Sequence, residues 1–493
     1  MTITRKNQFE ELIDALMIDE VAGIDQEIRN TLMGLDTDKK RMAILSILDK
    51  DRDMFMKIKG IVGDNSVTKA EHIKNVVAML RDYVKVGEVE KKTLGEVMTP
   101  NFLVNDMLNT LPAEVWSNPS LKWLDPCSGV GVFACVIVER LMEGLKDAIP
   151  NDEERYKHIV ENMLYVGELQ PKNMFLFLCA FDPRDEYGMN VYTGSFLVED
   201  FDNHSKNVWG IDKFDIIVQN PPYQTNKEGE KKTHPIWDKF VKKALKITVD
   251  GGYNVNVHPS GWRNVDGRFK DTQILMRSKQ MLYLEIHNAD DGVKTFGAAT
   301  RYDFYCIENA APCRQTKVVC EDGSIEIIDL SDMEFIPNGK FGEIKNLIAK
   351  KDEETVEILH SYSIYETRKE YMSKELTKEF KFPCIQNVNV KNEIGLLYYS
   401  NTKDKGHFGT SKVIFGRFGI NAFIDEFGDY GLCQDCSGIV DIQHNLLKIK
   451  HAIKSKNFLI IMKMVDVSGI KDTPVNRKVL STFRKDFWKE FLD

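Results

Sequence analysis

The sequence predicts an α/β fold built on a mainly parallel sheet, preceded by a helical N-terminal region and followed by a mixed α+β domain. Three observations carry this. Between about residues 94 and 310, short apolar runs alternate with segments of helical periodicity, the pattern of strands joined by crossover helices. The residues of unusual chemistry fall at the ends of those runs, where parallel sheets bind ligands. At 493 residues, the chain is also too long for one ordinary core.

Taken in order, residues 1–93 read as helices. FEELIDALMI and HIKNVVAMLRDYV carry apolar residues at helical spacing, and Asn65 or Ser66 suits a cap for the second group. No residue there carries recognisable chemistry. Residues 94–310 supply strands in LKWLDP, MLYVGEL, NVYTGSF, FDIIVQN, YNVNVHP, YLEIHNA and RYDFYCIE, with helices such as GVFACVIVERLMEGL and IWDKFVKKALKITV between them. Residues 311–493 lose the alternation. They open with a helical stretch, FGEIKNLIAKKDEETVEIL, and continue in loop-rich aromatic and glycine segments such as KVIFGRFGINAFIDEFGDYG.

Composition narrows the class. With 43% hydrophobic and 29% charged residues the chain is an ordinary globular protein. The start shows no signal peptide, and the most apolar stretch, Phe458 to Val465, is too short to span a bilayer. A cytoplasmic location with no membrane partner is therefore expected. Nine cysteines, an odd number, make no disulfide framework. Cys433 and Cys436 form one Cys-x-x-Cys without a second pair, so no metal is expected. The net charge of −9 is uneven, with 17 basic against 12 acidic residues from Lys381 onward. Phosphate binding needs a basic local surface and not a basic whole, so nucleic acid stays open as a partner.

Three motifs carry chemistry. Leu124-Asp125-Pro126-Cys127-Ser128-Gly129-Val130-Gly131 is an apolar strand running through an acid into two glycines and a helix. Glycines there let a ligand approach the backbone closely. A second strand ends in Glu168, suited to accept from both hydroxyls of a ribose. The sharpest is Asp215-Ile216-Ile217-Val218-Gln219-Asn220-Pro221-Pro222-Tyr223. The prolines remove N–H donors, so the amide oxygen of Asn220 and the carbonyl of Pro221 can grip both hydrogens of one amino group, with Tyr223 as a stacking surface.

The order and spacing of these motifs resemble the gamma-ordered N6-adenine DNA methyltransferases of bacterial and phage restriction–modification systems. A Thr-Pro segment, here Thr99 and Pro100, precedes the glycine loop, and the resemblance runs through LDPCSGVGVF, GELQP, TGSFL, NPPY, HPIWDKFVKKAL and GGYNVNVHPSGW to the RYDFY strand. It implies a Rossmann-like methyltransferase domain over 94–310 and a target-recognition domain over 311–493. It further implies S-adenosyl-L-methionine as cofactor, double-stranded DNA as substrate and a separate restriction endonuclease as partner. Carried onto this sequence, Thr99, Asp125, Cys127, Gly129 and Gly131 face the cofactor's methionine end, Glu168 its ribose, and Ser195 and Phe196 its adenine. Asn220, Pro221, Pro222 and Tyr223 form the catalytic turn, and Phe296 is either a second aromatic face for a flipped base or a core residue. The family usually has Asp where this chain has Ser195, which predicts weaker cofactor affinity. Three other readings stay open: a methyltransferase acting on a glutamine side chain, which presents the same amino group, an RNA adenine methyltransferase, and a DNA-specificity subunit with a degraded active site.

Overall fold

The computed structural model describes residues 99–182, 185–226, 233–265, 267–391, 393–416, 421–467 and 475–492, with eight positions between 12 and 44. The helical region expected over 1–93 lies outside the described residues, those eight positions aside. The chain divides into two compact units: Met1–Pro259, Asp271–Val319 and Ile327–Ser331 form the first, and Ser260–Lys270, Cys320–Glu326 and Asp332–Asp493 the second.

The first unit is an α/β sheet structure. Its strands are β1 (Trp123–Asp125), β2 (Leu164–Glu168), β3 (Asn190–Thr193), β4 (Phe214–Gln219), β7 (Thr248–Pro259), β8 (Gln280–His287), β9 (Tyr302–Glu308), β10 (Thr316–Val319) and β11 (Ile325–Ile328), with a separate hairpin of β5 (Gln224–Asn226) and β6 (Thr233–Pro235). The sheet order is β11-β10-β8-β9-β7-β4-β1-β2-β3. β3, β2, β1, β4 and β7 run parallel, whereas β9 is antiparallel to both β7 and β8. The order reverses at β1: the chain first builds outward through β2 and β3, then returns to lay β4 on the other side of β1. Such a switch point opens a crevice beyond the carboxyl ends of the strands.

The strands read as apolar runs because both faces of the sheet are covered. Trp123, Val166, Ile216, Val218, Val255, Val257 and Phe304 meet in one core cluster. Crossover helices follow in sequence: α1 (Asn101–Leu108), α2 (Val132–Gly144), α3 (Asp152–His158), α4 (Pro171–Phe181), α5 (Glu199–His204), α6 (Trp237–Lys246), α7 (Lys270–Arg277) and α8 (Ala289–Phe296). α4 starts with proline at its first position, where the missing N–H costs nothing, and is buried from Asn173 to Phe181. α6 is amphipathic. It turns Trp237, Phe240, Val241, Ala244 and Leu245 inward, and its lysines lie on the other face.

The second unit holds two four-stranded sheets, ordered β12-β19-β16-β17 and β13-β15-β14-β18. These strands are β12 (Glu357–Leu359), β13 (Met372–Ser373), β14 (Phe382–Val388), β15 (Ile394–Ser400), β16 (Lys412–Gly416), β17 (Ala422–Asp425), β18 (Gly431–Leu432) and β19 (Cys436–Val440). Two sequence expectations change here. The helix expected over FGEIKNLIAKKDEETVEIL stops at Leu347, giving α9 (Phe341–Leu347). Beyond it Ile348 and Thr355 bridge to Phe483 and Arg484, and Glu357–Leu359 becomes a strand. KVIFG, read as part of a loop-rich segment, is the fully buried strand β16, paired with both β17 and β19. A central strand buried on both faces shows no alternation to read. Inside this unit Lys412 is fully buried and pairs with Asp425 at 2.5 Å, also donating to the carbonyls of His407 and Thr410.

Candidate functional site

The carboxyl ends of β1, β2, β3 and β4 surround one cleft. It holds about 890 Å³ of open space, part of it continuous with solvent, and is lined by Thr99, Cys127, Gly129, Glu168, Ser195, Phe196, Asn220 and Pro222 among the predicted residues. Asp125, Gly131, Pro221, Tyr223 and Phe296 do not line it; they stand behind or beside the lining residues.

The glycine loop is held from below. Glu168 accepts from the N–H of Gly129 at 2.9 Å and from the N–H of Gln170 at 2.8 Å, so one carboxylate ties the end of β2 to the loop after β1. Gly129 and Gly131 both have positive φ, +55° and +97°. A Cβ on Gly131 would lie 2.6 Å from the Phe177 ring, which is stacked on Phe181. Only glycine fits there.

Asp125 is fully buried beneath this loop. One carboxyl oxygen accepts from the Cys127 N–H at 3.3 Å; the other is buried and has no hydrogen-bond partner among the described residues. Burial pushes its carboxyl up to about 8, against the pull of the Cys127 N–H and helped by the charge of nearby Glu168. Burial, with Asp125 and Glu168 alongside, holds the Cys127 thiol well above its ordinary range. That thiol is a donor and not a nucleophile.

Asn220 follows β4 directly. Its side-chain nitrogen donates to Thr99 Oγ1 at 2.9 Å, and the Cys127 Sγ lies 3.4 Å from its main-chain oxygen as a donor. The strand end beneath it is fixed by a buried amide pair, Gln219 Nε2 to Asn256 Oδ1 at 2.6 Å. On neighbouring β7, burial pushes His258 down to about 3, so it is neutral, and it stacks on Trp237 at 3.9 Å.

At the far wall, Ser195 Oγ accepts from the Leu197 N–H at 3.3 Å, so part of its acceptor capacity is spent locally. The Phe196 ring packs on Phe201 and Phe240, with the Lys243 ammonium 5.0 Å from its centre. Tyr223 is buried, and its hydroxyl has no hydrogen-bond partner among the described residues. Its ring meets Phe296 edge-to-face at 6.1 Å and 85°, and Phe296 in turn packs on Tyr302 at 4.9 Å. In this geometry Phe296 is a core residue standing perpendicular to Tyr223, with no parallel gap for a planar ring between them.

Sequence reasoning did not find Phe240, Gln170, Asn173 or Lys243. Gln170 follows two residues after Glu168, and Phe240 sits on the apolar face of α6, so both had weak local signals. Asn173 Nδ2, in the first turn of α4, lies 3.5 Å from Glu168 Oε1 at the end of β2. Among the described residues no group of three or more His, Cys, Asp or Glu is placed to hold a metal ion, and no helix is long and apolar enough to cross a membrane.

Comparison with known proteins identifies the middle of this unit. Residues 152–291 match the family model of the Eco57I restriction-modification methylase. An uncharacterized adenine-specific methylase of Mycoplasma pneumoniae is 26% identical over 264 residues, which is 40% of this chain and 61% of that protein. The chain thus spans about three-fifths of that relative. Among solved structures, the M protein of the type I restriction enzyme EcoKI is 15% identical, covering 71% of this chain and 79% of that one, with a TM-score of 0.35. The type ISP restriction-modification enzyme LlaGI, as a nuclease-deletion mutant with a DNA substrate mimic, is 10% identical over 92% of this chain and 63% of that one, with a TM-score of 0.45.

Proposed function

We propose, for a chain whose residues 152–291 match the family model of a restriction–modification methylase, that it transfers a methyl group from S-adenosylmethionine to N6 of an adenine in double-stranded DNA. The observation that carries this reading is the placement of Asn220: it ends β4 in the same cleft as the glycine loop, with its amide nitrogen turned onto Thr99.

The residues present fit the cofactor. Cys127, Ser128 and Gly129 of the loop line the cleft, with nothing within 4 Å of where a Cβ on Gly129 would sit, and Asp125 beneath the loop keeps a buried oxygen without a hydrogen-bond partner among the described residues. Glu168 suits the ribose diol, Phe196 and Phe240 offer apolar walls for its adenine, and Cys127, Gly129 and Thr99 line the end nearest Asn220. When bound, the cofactor supplies an electrophilic methyl on a sulfonium.

The chain's own residues act on the other partner. Adenine N6 is a poor nucleophile because its lone pair is delocalised into the ring. Asn220 Oδ1 and the Pro221 carbonyl accept its two hydrogens, draw the nitrogen toward tetrahedral geometry and free the lone pair. Pro222 keeps that turn rigid, since proline fixes φ. Neither a covalent enzyme intermediate nor a thiolate is required. Most of the rate gain comes from holding the reacting atoms about 3–3.5 Å apart in line. A base in duplex DNA must leave the stack to reach the cleft, at a cost of a few kcal/mol. Tyr223 is the stacking residue that offsets part of this. The second unit is the proposed target-recognition domain, and a separate restriction endonuclease is the partner class this reading implies.

The test is methyl transfer from tritiated S-adenosylmethionine to unmethylated genomic DNA, with an Asn220→Ala variant alongside and nucleoside mass spectrometry of the product. N6-methyladenine from the wild type alone is the expected result. Transfer to protein with none to DNA would overturn the reading in favour of a glutamine substrate. Failure to bind the cofactor would make the chain a specificity subunit.

A further inference from the structure

The bond between Asn220 and Thr99 gives a residue expected at the cofactor a second task. We infer that Thr99 is a positioning residue for the acceptor side of the reaction: it anchors the Asn220 amide in place at the end of β4. This rests on the methyltransferase reading above and deepens it.

An asparagine amide has two ends of nearly the same shape and opposite hydrogen-bonding sense. Rotation of the terminal group by half a turn would present two donors where an acceptor is needed, and an amino group cannot be gripped by donors. Thr99 Oγ1 accepts from Asn220 Nδ2 at 2.9 Å, across 121 residues of sequence. A threonine hydroxyl can donate as well as accept, so this bond anchors the amide in place, and the amino group that needs an acceptor selects its oxygen end.

Thr99 is well mounted for the purpose. It is nearly buried, it is β-branched and so stiff at χ1, and it precedes Pro100, which restricts its backbone. Pro100 is extended and leads straight into α1, whose Leu103, Val104, Met107 and Leu108 are anchored in the core. Cys127 holds the same asparagine by its main chain, with Sγ 3.4 Å from the carbonyl oxygen. Two residues of the cofactor end of the cleft thus fix the side chain and the backbone of the one residue that grips the base.

The experiment compares wild type, Thr99→Val and Thr99→Ser. Valine keeps the shape and removes the acceptor; serine keeps the acceptor. For T99V, kcat is expected to fall about 10- to 100-fold, the scale of a misaligned reactive group. Because Thr99 also lines the cofactor end of the cleft, the KM for S-adenosylmethionine is expected to rise by a smaller factor than kcat falls, since lost alignment shows in kcat and lost uniform binding in KM. T99S should restore most of the rate. Crystal structures of wild type and T99V give a readout independent of turnover: the Asn220 side chain should shift or lose its single position in the variant. If T99V does not fold, T99A carries the same expectations. An unchanged kcat, a loss confined to the KM for S-adenosylmethionine, or an unaltered amide in T99V would overturn the inference. Absence of methyl transfer by the wild type would instead refute the proposed function, and the position of the Asn220 side chain would still decide the role of Thr99.

Discussion

Asp125 makes the stability of the empty protein depend on pH in a way that one substitution should abolish. Its carboxyl is fully buried, one oxygen lacks a partner among the described residues, and burial pushes it up to about 8. In the unfolded chain the same group ionises near an ordinary value of about 4. Between these values the folded state holds a proton that the unfolded state has released. The contribution is therefore fully present below about pH 4 and lost as the pH rises toward 8. Each pH unit in that window is worth about 1.4 kcal/mol, so from pH 5 to 8 the wild type should lose on the order of 4 kcal/mol relative to Asp125→Asn. Asparagine copies the shape of the neutral acid and cannot ionise. The assay is urea unfolding of both proteins at intervals across that range, taking the difference so that all other groups cancel. Curves that run parallel to within about 1 kcal/mol would refute the argument, because a neutral buried carboxyl could not then be present. The same group should make cofactor binding tighten with rising pH, since a cation arriving near the loop favours the ionised form. D125N should lose that slope.

Three further outcomes are expected. Gly131→Ala should cost about 2–5 kcal/mol in urea unfolding, combining a left-handed backbone with a methyl forced against Phe177, and should abolish cofactor binding in calorimetry. Tyr223→Phe should leave activity intact and stability unchanged or higher by up to about 1–3 kcal/mol, because the hydroxyl it removes is buried without a partner among the described residues; a thermal melt and a methyl-transfer assay check this. Lys412→Met should destabilise the second unit by about 3–5 kcal/mol in chemical unfolding, because it strands a buried Asp425, and the double change K412M/D425N should recover much of that loss.

What the sequence disclosed was the local punctuation: glycines after β1, an acid ending β2, prolines after β4. Each is dictated by backbone geometry within a few residues, so each is readable from a short window. What stayed hidden depends on long-range approach. Nothing near Thr99 points to Asn220, because their contact arises only once α1 and β4 pack in one unit. The motif gave Asp125 a direct cofactor role, but an acid one residue before the loop turns ends up beneath it, accepting from Cys127 and not lining the cleft. Phe296 lies next to the aromatic RYDFY strand in sequence and packs on Tyr302 of that strand, which makes it core. In the second unit, β16 was missed because burial on both faces erases the alternation that marks a strand.

β1 and β4 are ladder partners, with Leu124 opposite Ile217. The glycine loop leaves one of these strands and the Asn-Pro-Pro turn leaves the other. On the proposed reading, the offset between the methyl donor's seat and the acceptor's seat is inherited from one interstrand gap, about 4.8 Å, and acts as a ruler cut into the backbone. Side chains around the rim can then change what is recognised without recalibrating where transfer happens. A slip of β4 by one residue would shift Asn220 by about 3.3 Å and turn it to the opposite face, so no compensating side-chain change could restore the alignment. Selection on such a protein is free to rewrite its choice of target, while the ruler itself permits almost no drift.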